Sequence, residues 1–330
     1  CDGDHSGPWI CRPILNCFGR DAEIDLLRTA LCAAALAALP AAAPGQVLSF
    51  PARGDLVVFS ATAVDGKGRP VTNLQSNDFR VFEEGRPQPI SRFHGGQDLP
   101  ARVLLLVDGS GSMNQELKMA SVRFAAERVL EALSEEDQVA LAGFDGRYWG
   151  VVAFTRDRDA IRAGLDTVEP FGTTALHDAL DQAARDIASH GEGRRAVVVI
   201  SDGVDTASEK TPEEVLERSR ALDVPIYAVT AVSPLDDPAS DLYVGKEGKG
   251  AAATGGEILE RYASLSGGAA FRVSTYKALR HAAQRISAEL KHQYRLGYNP
   301  PEGPARFRRV EVRTTRKGVT VRTRSGYIPD

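Results

Sequence analysis

The chain has 330 residues, 43% of them hydrophobic and 25% charged, with a formal net charge of −4. That length admits two or three domains, and the composition is ordinary for a globular protein that buries a sizeable core. The slightly acidic balance argues against a protein whose main task is to neutralise nucleic-acid phosphates. No uninterrupted apolar run reaches the roughly 20 residues that a membrane-spanning helix needs.

All four cysteines, Cys1, Cys11, Cys17 and Cys32, lie at the start of the chain, in no zinc-ligand spacing. Arg28 precedes the apolar stretch Thr29–Leu39, which Pro40 and the small-residue run Ala41-Ala42-Ala43 follow. A positive residue, a short apolar segment and an A-x-A make a secretory signal peptide. Asp21, Glu23 and Asp25, just upstream, are foreign to such a leader, so the first residues read as lying ahead of the true start or as a fragment edge. Neither Cys17 nor Cys32 follows a small residue (Asn16 and Leu31 precede them), which speaks against a lipid-modified cysteine. Residues 1–46 are therefore expected to be leader, with a mature chain starting near Ala43–Gln46 and exported to the periplasm or cell surface.

Residues 47–98 read as β. Apolar and small residues roughly alternate from Asp55 to Asp65, a Gly-Lys-Gly-Arg-Pro turn follows, and Phe79–Glu83 forms a second strand-like run. The texture changes over 99–292. Val103–Val107 is a continuous apolar run, as expected of a strand buried on both faces of a parallel sheet, and similar runs recur at Val139–Phe144, Val197–Ile200 and Ile226–Val232. Helical stretches alternate with them at Gln115–Leu133, Asp157–Val168, Ala175–Ala188, Pro212–Leu222, Ile258–Leu265 and Tyr276–Leu290, while Tyr148–Phe154 follows so closely that it reads as an antiparallel edge strand. The expected architecture is α/β: a doubly wound, mainly parallel six-stranded sheet flanked by helices. Ser233–Gly256 is expected to be a long loop. Residues 293–330 return to β at Tyr294–Tyr298, Arg308–Thr314 and Val319–Arg324, and are expected to pack with the N-terminal segment into one small β domain around the inserted α/β domain.

The residues most suggestive of chemistry are Asp108-Gly109-Ser110-Gly111-Ser112, between the most apolar strand and a helix. In open α/β sheets ligands bind outside the carboxyl ends of the strands, near the switch in strand order. A second oxygen-bearing segment, Phe171 to Leu176, precedes another helix, and a third, Ser201-Asp202-Gly203, ends the strand Val197–Ile200. Converging carboxylates and hydroxyls select a hard cation, Mg²⁺ (or Mn²⁺ or Ca²⁺), over zinc or copper. With few carboxylates the ion keeps positive charge and open positions, which an acidic side chain of another molecule can fill.

The D-x-S-x-S, a later Thr and the Asp of an S-D-G turn resemble the metal-ion-dependent adhesion site of von Willebrand factor A and integrin I domains. Carried over, the resemblance assigns the metal to Asp108, Ser110, Ser112, Thr174 and Asp202, with Thr173 as the competing threonine. It implies a protein-interaction or adhesion module whose partner presents an acidic side chain. The flanks GRPVTNLQSNDFRVFEEGRPQPI and YRLGYNPPEG are similar to those of bacterial VWFA-related exported proteins.

Other readings compete. Asp and Ser in the first loop could merely cap a helix; Asp145 and Asp205 could support the site or be turn residues; His177 and Asp178 read as first-turn helix residues. A structural scaffold of an envelope assembly, with the ion only stabilising loops, is the alternative function. A metal-dependent hydrolase needs a base or nucleophile and a cation to hold phosphate. No Lys or Arg adjoins the three loops in sequence, and no nucleophile elbow or P-loop is present, so the expectation is not an enzyme. Beyond Leu290 the many Lys and Arg are expected to form a solvated strand face, Arg322 and Arg324 alternating with Val321 and Thr323, rather than a surface for anionic polymer.

Overall fold

A computed structural model describes residues 56–95, 100–114, 116–190, 193–231 and 251–329. The expected leader, residues 1–46, lies outside these, as does most of the expected loop Ser233–Gly256. The chain runs through β1 (Val57–Asp65), β2 (Phe79–Glu83), β3 (Arg86–Gln88) and β4 (Arg92–His94) before the α/β unit begins. That unit contains β5 (Ala101–Asp108), α1 (Glu116–Ala132), β6 (Gln138–Phe144), β7 (Tyr148–Thr155), α2 (Arg158–Asp166), α3 (Leu176–Ala188), β8 (Arg194–Ser201), α4 (Pro212–Leu222), β9 (Ile226–Ala231), α5 (Ala251–Ser266), β10 (Ala270–Val273) and α6 (Tyr276–Lys291). The short strands β11 (Tyr294–Tyr298), β12 (Arg308–Thr314), β13 (Val319–Thr323) and β14 (Gly326–Tyr327) complete the chain.

The central sheet has the order β10-β9-β8-β5-β6-β7. Every pair is parallel except β6 with β7, which is the antiparallel edge expected from the short connection. Strand period sorts the core: Val103, Leu105 and Val107 of β5 face a layer formed with α1, α2 and α6, whereas Leu104 and Leu106 face the layer formed with α3, α4 and α5. Both faces are sealed, which is why the strand reads as unbroken apolar sequence. Helix starts follow local chemistry. Asp157 accepts from the N–H groups of Asp159 and Ala160 at α2, Thr211 and Glu214 form a capping box with Pro212 at the first helical position of α4, and Thr275 caps α6.

The flanks do meet. β1 lies between β11 and β13, and β12 pairs with β2, giving two four-stranded sheets, β13-β1-β11-β4 and β14-β12-β2-β3. Phe59, Ala61 and Tyr298 from one sheet and Phe79, Val81, Val310 and Val312 from the other share one core, so the flanks form a β sandwich. The other face of β1 is also buried, because Ser60 lies against Asp223 at the end of α4: its N–H and hydroxyl donate to that carboxylate at 3.1–3.3 Å.

The basic residues of the last strands differ from expectation. Arg324 is buried, with Nε 3.6 Å from Asp223, and Arg322 pairs with the buried Glu289 of α6. Arg308 pairs with Glu83 at 3.0 Å inside the sandwich. These guanidiniums neutralise buried carboxylates, which is why an alternating strand carries them without their forming a solvated face.

Candidate metal centre

Chain reversal in strand order occurs at β5, whose neighbours β6 and β8 lie on opposite sides, and Asp108 is its last residue. Backbone hydrogen bonds knit the surrounding loops together. Gly109 N–H donates to Phe144 O (2.8 Å), Phe171 N–H to Gly109 O (2.8 Å), Gly111 N–H to Gly172 O (3.0 Å) and Ala175 N–H to Asp145 O (2.7 Å). Two positions depend on glycine. Gly172 has φ +78°, and at Gly203 (φ +82°) a Cβ would stand 2.4 Å from Gly255 O, so the Ser201-Asp202-Gly203 turn packs backbone to backbone on α5.

Four of the five expected residues join in one polar chain. Asp108 Oδ1 accepts from Ser110 N–H (2.9 Å), the hydroxyls of Ser110 and Ser112 are 3.1 Å apart, and Ser112 Oγ donates to Asp202 Oδ2 (3.0 Å). Asp108 and Ser110 are fully buried at the floor, Asp202 is nearly so, and Ser112 is exposed at the mouth. Thr174 reaches the same edge through its backbone: its N–H donates to Thr206 Oγ1 (3.0 Å) and its carbonyl accepts from the N–H groups of Thr206 and Ala207 (2.8 and 3.0 Å). It makes no hydrogen bond to the other four among the described residues. Thr174 is buried and Thr173 exposed.

Burial pushes the Asp108 carboxyl up to about 6; hydrogen bonds from Ser110 and Ser201 pull the other way, and the charge of Asp202 adds to the rise. Among the described residues no Lys, Arg or His pairs with Asp108.

Two residues add to the expected set. Ser201 Oγ donates to Asp108 Oδ2 at 2.5 Å and accepts from Gly203 N–H at 2.9 Å, so it ties the two aspartate loops together. Lys118, in the first turn of α1, places Nζ 2.9 Å from Asp202 Oδ2. The S-D-G segment pointed to Ser201, but nothing in the spacing pointed to Lys118, which is brought in by the direction of α1. Asp145 behaves as a turn residue, its Oδ1 accepting from Arg147 N–H, whereas Asp205 accepts both from Ser208 in its own turn and from His177 N–H (3.3 Å) at the start of α3. His177 is buried with Nδ1 2.9 Å from the Tyr262 hydroxyl, and Asp178 holds the backbone of Glu209 and Lys210. Neither bonds to the five candidate ligands among the described residues.

The donor set suits a hard cation. It is all oxygen, and among the described residues no group of three or more His, Cys, Asp or Glu gathers in a metal-binding cluster, so an ion here would rest on two carboxylates plus hydroxyls. A buried carboxylate without a positive partner is the arrangement that a cation would relieve.

Part of this chain is similar to known proteins. Residues 103–204 match the family model of the von Willebrand factor type A domain, a span that includes all five candidate residues. No curated protein matches the chain. Similar solved structures include a conserved hypothetical protein, BatB, from Bacteroides thetaiotaomicron (19% identity, 58% of this chain and 99% of that one, TM-score 0.46). A von Willebrand factor type A protein from Catenulispora acidiphila is another (12% identity, 85% and 75% covered, TM-score 0.47). A third is the PilB minor pilin from Streptococcus sanguinis (16% identity, 62% and 63% covered, TM-score 0.44). The family match runs from β5 to the turn that carries Asp202, so residues 103–204 are similar to a von Willebrand factor type A domain.

Proposed function

We propose that the α/β domain is a metal-dependent protein-binding module. Asp108, Ser110, Ser112, Thr174 and Asp202 hold a divalent cation, Mg²⁺ or a related hard ion such as Mn²⁺ or Ca²⁺, directly or through water. When bound, the cation supplies positive charge with open coordination, which suits the carboxylate of a partner protein's Asp or Glu. The residues of this chain do the positioning: Ser201 orients Asp108, and Ser112 at the mouth bridges toward Asp202. The observation that carries this reading is the pair Asp108 and Asp202, joined through Ser110 and Ser112 at the switch in strand order, with no cation paired to Asp108 among the described residues. Phe171, exposed and pinned beside the first loop by its N–H to Gly109 O, gives the rim an apolar contact for the same partner. Export rests on the sequence of residues 28–43 and belongs to the same proposal.

Calorimetric titration of Mg²⁺ and Mn²⁺ into the metal-stripped chain, beside Asp108→Ala, tests it. Binding by the wild type that the variant loses is the expected result. A folded wild type that takes up neither ion overturns the proposal.

A further inference from the structure

We propose that Lys118 is an internal counter-ion that competes with the divalent cation for Asp202, so that the free chain holds its own site in a partly neutralised, cation-resistant state. The inference rests on the reading of the site given above and concerns what sets its occupancy.

Lys118 stands in the first turn of α1, where the helix dipole disfavours positive charge. Its side chain is 19% exposed and that of Asp202 is 7% exposed. A lysine in such a place is held by its partner carboxylate. That partner is one of the two carboxylates in the candidate cation site.

The hydrogen bonds at Asp202 show how the competition works. Oδ2 accepts from both the Lys118 ammonium (2.9 Å) and the Ser112 hydroxyl (3.0 Å), and Oδ1 accepts from Val204 N–H (3.2 Å). Asp202 is thus supplied with donors while Asp108, at the other end of the same polar chain, pairs with no cation among the described residues. Among the described residues, two carboxylates against one ammonium leave the site one negative charge in excess. A divalent ion that enters while the ammonium remains meets a like charge at the same oxygen; one that enters fully must displace it. The flexible four-carbon stem lets lysine leave without moving the backbone. In either case the positive charge of Lys118 lowers cation affinity, and removing it raises that affinity.

The test is calorimetric titration of MgCl₂ and MnCl₂ into the metal-stripped full chain, comparing wild type, Lys118→Met, Lys118→Arg and Asp202→Ala. Lys118→Met keeps much of the volume and removes the charge. It is expected to bind at least about fivefold tighter than wild type, the scale of losing one partly exposed like charge. Lys118→Arg keeps the charge and is expected to bind as wild type does. Thermal unfolding supplies a second readout: in chelator Lys118→Met melts below wild type, because Asp202 has lost its counter-charge, and added cation raises its melting temperature by more. Equal or weaker binding by Lys118→Met, with Asp202→Ala inactive, overturns the role of Lys118 and leaves the site standing. No binding by any folded variant overturns both.

Discussion

The seam between the β sandwich and the α/β unit and the carboxyl edge of the six-stranded sheet both bury carboxylates, yet they satisfy them differently. At the seam, the fully buried Glu289 faces Arg322 and, at 3.4 Å, Arg285, while Asp223 takes the Ser60 N–H and hydroxyl and lies 3.6 Å from Arg324. Inside the sandwich, Glu83 receives Arg308 (3.0 Å) and the hydroxyls of Tyr298 (2.5 Å) and Tyr327 (2.9 Å). At the sheet edge, among the described residues, Asp202 takes the one ammonium and Asp108 has only neutral donors. The chain has arginines to spare and places them wherever a buried acid holds the fold together. Leaving Asp108 without one costs stability, a cost that the proposed cation would offset.

If that contrast is right, damage at the seam costs the fold most. Glu289→Ala strands two partly buried guanidiniums and is expected to lower unfolding free energy by about 3 kcal/mol, the low end for breaking a buried pair. Urea unfolding measures it, and a loss below about 1 kcal/mol would mean that the seam is no stronger than an exposed ion pair. Asp223→Ala comes next, at about 2 kcal/mol. It orphans the buried Ser60 N–H and forces alanine into the left-handed backbone (φ 51°) that Asp223 adopts at the end of α4. Asn at this position tolerates that backbone and restores part of the loss. Neither change touches the candidate ligands, so cation binding by the folded fraction stays as in wild type.

At the edge the sign reverses. Asp108→Asn keeps the shape, removes a buried uncompensated charge and gives up one hydrogen-bond acceptor. In chelator it is expected to raise stability by about 1 kcal/mol, the remainder after a lost acceptor is set against relief of the burial penalty. The same variant loses any stabilisation by added Mg²⁺ or Mn²⁺. Destabilisation in chelator would show that Asp108 serves the fold as Glu289 does, and the contrast between the two regions would collapse.

Much of this was legible in the sequence, and the failures share a cause. The apolar run at Val103–Val107 marked a strand sealed on both faces, and D-x-S-x-S directly after it marked the switch-point loop; strand period and loop chemistry are local. Tyr148–Phe154 followed from the brevity of its connection. The sixth strand, Ala270–Val273, could be expected but not located, because it is short and follows Gly267-Gly268, where the chain passes so close to β9 that a Cβ at Gly268 would stand 2.0 Å from Ile226 O. Helix α5 starts at Ala251, ahead of the expected Ile258, and runs through Gly255 and Gly256, the last residues of the expected loop; Gly255 is needed where the helix meets Gly203. Lys118, Arg322 and Arg324 act on partners far away in sequence, and no spacing rule finds a salt bridge made by the direction of a helix or the pairing of two chain ends.

The smallest expected effect lies between the two regions, at His177. It stands in the first turn of α3, three residues beyond Thr174, and is only 8% exposed, with Nδ1 against the buried Tyr262 hydroxyl. Burial holds its pKa below the usual 6.5, although Asp205, Asp178 and Glu213 pull it upward. The sign follows from linkage: a folded-state pKa below the unfolded one means that the unfolded chain takes up a proton first. Stability contributed by neutral His177 is therefore present above pH 6.5 and is lost as the pH falls below it. Other acids change stability over the same range, so the useful quantity is the difference between wild type and His177→Gln, followed by urea unfolding from pH 8 to pH 5. The wild type is expected to lose more stability than the variant on acidification. A difference that does not change with pH would show that the nearby carboxylates fully offset burial, and that His177 belongs electrostatically with the compensated seam rather than with the uncompensated edge.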